Sequence, residues 1–335
     1  MSNALVTGAA GFIGGHLLKG LLDAGSEVIA VDDFSTGKEE NLDPRVNNVI
    51  RSVAGKVPAS ILRNIDTVYH FGEMAAENLS LFAPDEFYLK NVISTYKLII
   101  SSVKAKVRRF VFASSMAVYG NSPVPYREQN QVDPQDPYGL AKYQGERILD
   151  IYGKLGAIEI VNVRLYNVYG PNINLNDPYR GVVGIFINQL MNNKSPVVFG
   201  DGNQQRAFTF VDDIIPFIIQ LGYSQAVINK AINLGGNELT TINQLVQIMA
   251  EHFHYRNAPR YFDERINEKT AVYCSTDRAK EILGFQAQTS ISQGLKKTIE
   301  WAKTLSPVPQ FNYGLYKGIS VLTDRLPEPW KSKTM

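Results

Sequence analysis

The stretch Ala4-Leu-Val-Thr-Gly8-Ala-Ala-Gly11-Phe-Ile-Gly14 leaves this chain few ways to begin folding. A short apolar run that ends in three evenly spaced glycines reads as a buried strand entering a tight turn. Phe12, Ile13, Leu17, Leu18, Leu21 and Leu22 then recur at helical spacing, and the helix stops near Gly25. The glycines have separable jobs: a tight turn, close approach of a pyrophosphate to backbone, and close helix–strand packing. A phosphate would sit at the helix start, where free N–H groups and the helix dipole favour an anion. The next strand, 27–32, ends in Asp32, where a dinucleotide-binding unit places its ribose-binding acid. A carboxylate there accepts hydrogen bonds from the ribose 2′- and 3′-hydroxyls and repels a 2′-phosphate. No arginine follows at once, so NAD is expected rather than NADP. An Asp that merely caps a turn is the competing reading, and the glycines ahead of it argue against that.

Strand and helix signals continue to alternate. Residues 46–52, 67–71 and 109–113 read as strands, 59–63 as a poor helix and 85–104 as a long one. Such alternation implies βαβ units and a parallel sheet, with ligands beyond the C-terminal strand ends. The fold class expected is α/β: a Rossmann-type doubly wound parallel sheet with a smaller C-terminal α/β substrate domain. Residues 1–170 are assigned to the dinucleotide-binding domain, with later segments returning to it. Residues 171–310, where strict alternation ends, are assigned mainly to the substrate domain, and 311–335 form a tail without periodicity.

Bulk properties narrow the partners. Of the 335 residues, 44% are hydrophobic and 20% charged, and the formal net charge of +2 gathers neither nucleic acid nor acidic membrane. The single cysteine, Cys274, makes no internal disulfide, and no Cys/His spacing resembles a metal site. Without a signal peptide or an apolar run of spanning length, a cytoplasmic setting is expected.

Tyr138 and Lys142 lie four residues apart on a predicted helix, hence on one face. An ammonium beside a phenol favours the phenolate, lowering a pKa that is about 10 when unperturbed and giving a general base usable near neutral pH. Such pairs also arise on any helix face. Ser115 ends the strand that would deliver it opposite Tyr138, where its hydroxyl could bond a substrate oxygen, although serines also end strands as caps. Between them, 120–137 is a Pro-rich polar loop of the kind that binds ligands.

Together TGAAGFIG (7–14), Asp32, the Val-Tyr-His70 strand end, SSMAVYG (114–120), PYGLAK (137–142), RLYNVYGP (164–171) and GDGNQQRAFTFVDD (200–213) resemble the extended short-chain dehydrogenase/reductase family. The likeness is to its NAD-dependent nucleotide-sugar epimerases and dehydratases, of the UDP-glucose 4-epimerase kind, over roughly residues 3–300. It implies Ser115, Tyr138 and Lys142 as the catalytic set. Dinucleotide contacts are implied for Gly8, Gly11, Phe12, Ile13, Gly14, Asp32, Asp33, Phe34, Ser35, Thr36, Gly37, Phe71 and Ser114, besides Tyr138 and Lys142. Asn91 and Tyr166 would lie nearer the nicotinamide half. Asn167, Arg206 and Arg265 match positions that bind the nucleoside diphosphate, with Ser115 and Tyr138 at the sugar. Relatives usually form a homodimer through two helices per subunit, which the helices from Asp85 and from Tyr138 match.

In the family's 4-epimerases a tyrosinate takes the C4 hydroxyl proton while NAD takes the hydride, and the keto sugar turns over before the hydride returns. The expected function is therefore epimerisation of a nucleotide-diphosphate sugar, foremost UDP-glucose/UDP-galactose or their N-acetyl forms. Dehydration and 4-keto reduction are the alternatives, with a non-catalytic dinucleotide sensor more remote. Met116 and Ala117 stand where many dehydratases carry Asp-Glu, and neither can move a proton. Three further departures matter. Ser52 replaces an adenine-contacting Asp. Val272 falls near a position that limits C2 substituents, which a slip of one residue would give to Tyr273. Glu73 occupies a place where relatives often have a small residue; a carboxylate beside pyrophosphate is electrostatically awkward, so Glu73 is expected to point away, an unidentified role at the site being the alternative.

Overall fold

Every strand of the central sheet runs parallel, so each must be reached by a crossover from the one before it. The computed structural model describes residues 3–335. Numbering only the strands of this sheet, they are β1 (Asn3–Thr7), β2 (Glu27–Asp32), β3 (Asn48–Arg51), β4 (Thr67–His70), β5 (Arg109–Ser115), β6 (Glu159–Leu165) and β7 (Lys230–Leu234). Their spatial order is β7-β6-β5-β4-β1-β2-β3. The chain reverses its winding on either side of β1, and the crevice that opens at such a switch point is where doubly wound sheets bind ligands.

Both faces of the sheet are covered, which explains why β1, β4 and β5 read as apolar runs rather than alternating ones. On one face Leu17, Leu18 and Leu21 of helix α1 (Phe12–Asp23) pack with Ile214, Ile215 and Ile218 of helix Val211–Leu221. On the other, Leu98, Ile99 and Leu149 cover Phe110, Phe112 and Ile160. Helix Val211–Leu221 and β7 thus return to the first lobe after the chain has crossed to the second. A further apolar core joins the second lobe to the first: Phe186, Ile187, Leu245, Met249 and Leu295 of helices Val182–Met191, Ile242–Phe253 and Ile291–Lys303 share it with Leu79, Phe82 and Phe87.

Three local expectations are corrected. Residues 59–63 close only i→i+3 bonds, from Leu62 N–H to Ala59 C=O for example, and form turns instead of a helix, because Leu62 alone in that run is fully buried. The third strand is shorter than 46–52. The long helix from Asp85 is interrupted: an α-turn (Pro84–Phe87) gives way to a π-helical segment (Tyr88–Ile93) before the α-helix Ser94–Lys104. The wider π turn carries Asn91 inward, where it is fully buried. The tail, unassigned from sequence, packs on the second lobe. Trp330 meets Tyr179, Phe199 and Phe82 at ring-centroid distances of 5.2, 6.2 and 6.3 Å. Among the described residues no helix is long and apolar enough to cross a membrane.

Candidate active site

A cleft of about 420 Å³ runs from the Gly-rich turn, across the C-terminal strand ends, into the second lobe. Gly8 sits at φ +70°, and a Cβ there would lie 2.6 Å from the Phe71 carbonyl oxygen; at Gly14 it would lie 1.9 Å from that of Gly8. No larger residue fits either place, and the turn is left as bare backbone at the start of α1, the cradle a pyrophosphate needs. The Asp32 carboxylate accepts from Ala10 N–H at 2.9 Å and from Phe34 N–H at 2.8 Å, one bond to each oxygen. Those bonds aim it into the cleft and leave lone pairs for ribose hydroxyls. Gly8, Gly11, Phe12, Ile13 and Gly14 line the cleft, as do residues 32–37 except Phe34. Phe34 departs from its expected role because its ring lies under the Arg51 guanidinium, 4.5 Å away.

Helix Pro137–Lys154 begins with Pro137 in its first turn and Asp136 as its cap, whose carboxylate accepts from Gly139 N–H at 2.8 Å. Tyr138 N–H donates to Ser80 Oγ at 3.1 Å, which fixes the phenol at the helix mouth. Tyr138 and Lys142 are 8% and 4% exposed, and the ammonium lies 5.7 Å from the phenol ring centre. Ser115, at the end of β5, accepts from Ala117 N–H at 3.2 Å, so it caps the turn and also lies beside the phenol. Burial pushes the Tyr138 pKa up, while the Lys142 charge and the Ser115 hydroxyl pull it down without overcoming burial. The Lys142 charge acts in the direction the i,i+4 spacing suggested, and Glu77 acts with burial against it.

Glu73 turns inward, against expectation. Its carboxylate takes the Lys142 ammonium as an ion pair and accepts from Thr95 Oγ1 at 2.6 Å. The electrostatic objection to a carboxylate at this place fails because a buried cation is there to meet it. Thr95 was not singled out from sequence; its hydroxyl also lies 2.9 Å from His70 Nε2.

Nearer the second lobe the predicted set divides. Tyr166, Asn167, Arg206 and Arg265 all line the cleft. Arg206 and Arg265 share one carboxylate, that of Glu268, with Arg265 Nη2 at 2.6 Å from it. Sequence reasoning missed Glu268, although the Arg-x-x-Glu spacing from Arg265 was there to be read. Asn91 does not reach the cleft, because both ends of its amide are taken by the Met74 backbone at 2.9 Å, so it holds the loop after β4 in place. Phe71 and Ser114 line the cleft, and the Ser114 hydroxyl, donating to Glu146, keeps only acceptor capacity for a ligand. Val272, and not Tyr273, is on the wall. Glu77 also faces the cleft; desolvation, and then Asp136 beside it, push its carboxyl up to about 7.

A Rossmann sheet whose switch-point crevice holds a glycine turn, a carboxylate at the end of β2 and a Ser/Tyr/Lys set has the layout of a dinucleotide-dependent enzyme of the short-chain class. Residues 4–235 match the model of the NAD dependent epimerase/dehydratase family, and the chain belongs to that family. It is 32% identical over 306 residues to a putative UDP-glucose 4-epimerase of Methanocaldococcus jannaschii, covering 89% of this chain and 98% of the relative. A UDP-N-acetylglucosamine 4-epimerase from Methanobrevibacter ruminantium, solved with UDP-N-acetylmuramic acid, superposes with a TM-score of 0.85 at 29% identity, covering 90% of this chain and 98% of that one. A UDP-glucuronic acid 4-epimerase from Bacillus cereus, solved with UDP-glucuronic acid and NAD, gives 0.84 at 28%, covering 90% and 99%. The protein is an enzyme, an isomerase by its relatives, with NAD as the cofactor that the cradle and Asp32 fit.

Proposed function

We propose that the chain epimerises a nucleotide-diphosphate sugar at C4, with UDP-hexoses (glucose/galactose or their N-acetyl forms) as the substrates tried first. One observation carries this reading: Tyr138, Ser115 and Lys142 share a single cleft with the dinucleotide cradle on one side and the Arg206/Arg265 pair on the other. Bound NAD supplies reversible hydride acceptance. Tyr138 acts as the base that takes the proton of the sugar hydroxyl and later returns it, its phenolate favoured by Lys142 and Ser115 against burial, and Ser115 holds the same oxygen. Arg206 and Arg265 grip the diphosphate in a two-point manner suited to guanidinium groups, leaving the sugar free to turn over. Met116 and Ala117 border the reacting end without a group able to drive elimination. Val272 on the wall leaves room for a C2 N-acetyl group.

A second reading, loss of water, is favoured by Glu77, a carboxyl in the same cleft whose pKa its surroundings push up. Incubation with UDP-, GDP- and dTDP-sugars, read by product NMR, separates the two. Interconversion of UDP-glucose and UDP-galactose, or of their N-acetyl forms, without net cofactor consumption is the expected outcome. A stable keto product lighter by one water would replace epimerisation with dehydration. Tyr138→Phe is expected to lose at least roughly a hundredfold in rate, the lower end of what general acid–base catalysis contributes, while still binding NAD.

A further inference from the structure

Glu73 and Lys142 form a pair whose side chains are 2% and 4% exposed, at the reactive end of the cleft. The pair is fixed from several sides. Lys142 Nζ also donates to the Ala113 carbonyl of β5 at 2.6 Å. The second Glu73 oxygen is held by Thr95, and Thr95 is joined to His70. His70 Nδ1 lies 2.7 Å from Thr7 Oγ1, which accepts from Gly72 N–H at 3.0 Å. A continuous buried network therefore links the strand that feeds the glycine cradle to the lysine that attends Tyr138.

We propose that Glu73 is a positioning residue of this active site: it clamps the Lys142 ammonium against β5 and offsets the charge by which that ammonium favours the Tyr138 phenolate. The inference rests on the reading of Tyr138 as the base. An anion in contact with Lys142 lowers the net positive potential at the neighbouring phenol, and this is a Coulombic effect in a site where screening by water is weak. The other groups that face the phenol are accounted for. Glu77, from the segment after β4, opposes ionisation, whereas Arg180, from the loop before helix Val182–Met191, and Ser115, from β5, favour it; Phe87 contributes only an apolar edge. Glu73 differs from all of them in acting through Lys142.

The test uses the full-length protein. Glu73→Gln keeps the side-chain length and an oxygen for Thr95 while removing the charge, and Glu73→Asp keeps the charge. The ultraviolet absorbance of the phenolate is titrated with pH, with Tyr138→Phe in each background to isolate the Tyr138 signal. The acid limb of kcat/KM is measured in parallel. Glu73→Gln is expected to move both transitions down by about one pH unit, roughly tenfold more phenolate at a given pH, while Glu73→Asp stays near wild type. Identical transitions in wild type and Glu73→Gln overturn the proposal. So does the failure of both Glu73→Gln and Glu73→Ala to melt cooperatively, which would make the pair purely structural. If Tyr138→Phe keeps full activity, the proposed function falls; if it is inactive and Glu73→Gln shifts nothing, only the present inference falls.

Discussion

His70 illustrates how a residue can be visible in a sequence motif and still be misjudged. Before the structure it was only the end of a strand; in the fold it is fully buried between Thr7 and Thr95, and stacks on Phe112 with ring centroids 5.8 Å apart. Burial, and then the Lys142 charge, push its pKa down from 6.5 to about 3. The folded state then binds fewer protons than the unfolded state between those two values. Its contribution to stability is complete above the unfolded pKa and is lost as pH falls through 6.5 toward 3. Wild type is therefore expected to lose ~2 kcal/mol more than His70→Asn between neutral pH and about pH 5, read from urea midpoints at each pH. Equal losses would show that the imidazole does not carry the acid sensitivity. The glycines, Asp32, Ser115 and Tyr138 were legible because turn, strand end and helix start fix their places locally. Glu73 and Thr95 were not, because each acts through a partner distant in sequence: Glu73 meets Lys142, and Thr95 meets Glu73. Only tertiary packing makes such pairs.

Elements were readable wherever one periodicity ran without interruption. Helix Pro137–Lys154 has its proline and its cap, and β5 is apolar throughout, so both could be placed from sequence. The π segment Tyr88–Ile93 could not, since one extra residue per turn is imposed by what Asn91 must reach. The tail escaped for another reason: its short helix Glu328–Lys331 has no stripe of its own, and Trp330, set among Tyr179, Phe199 and Phe82, anchors it. Trp330 and Met335 wall the cleft close to Phe199, whose ring lies 5.2 Å from the Arg265 guanidinium. If Arg265 holds diphosphate, the tail closes the nucleoside end. Trp330→Ala should destabilise the protein by ~3–5 kcal/mol, as large-to-small core changes do. It should also weaken UDP binding by roughly tenfold, about 1.4 kcal/mol, in calorimetry. NAD binding should not change, because the glycine cradle lies at the opposite end of the cleft. Trp330→Phe should restore most of the UDP affinity; equal UDP binding by Trp330→Ala and wild type would remove the tail from the substrate site.

At the scale of the whole molecule, the surfaces carry information that composition could not. Leu140, Ile151 and Leu155 are 46%, 55% and 74% exposed on the outer side of the helix whose inner side holds Tyr138 and Lys142. Leu89 and Tyr96, at 62% and 44%, lie two turns apart on the neighbouring π/α helix. Large apolar side chains gathered on two adjacent helices are unusual for a surface that faces only water. A two-fold axis would pair this face with its own copy, since residues of one self-complementary patch then meet across the interface. We propose a homodimer through these helices, and its test is charge. Leu89→Glu with Ile151→Glu would place four carboxylates in an apolar four-helix seam, where each loses hydration without gaining a cation. Light scattering after gel filtration should then report a monomer where the wild type reports a dimer. Because the altered residues lie on the outward side, away from Tyr138, a monomer that keeps its NAD binding is the expected result. A wild-type protein that is monomeric at all concentrations would leave these side chains without a partner in a second copy of the chain.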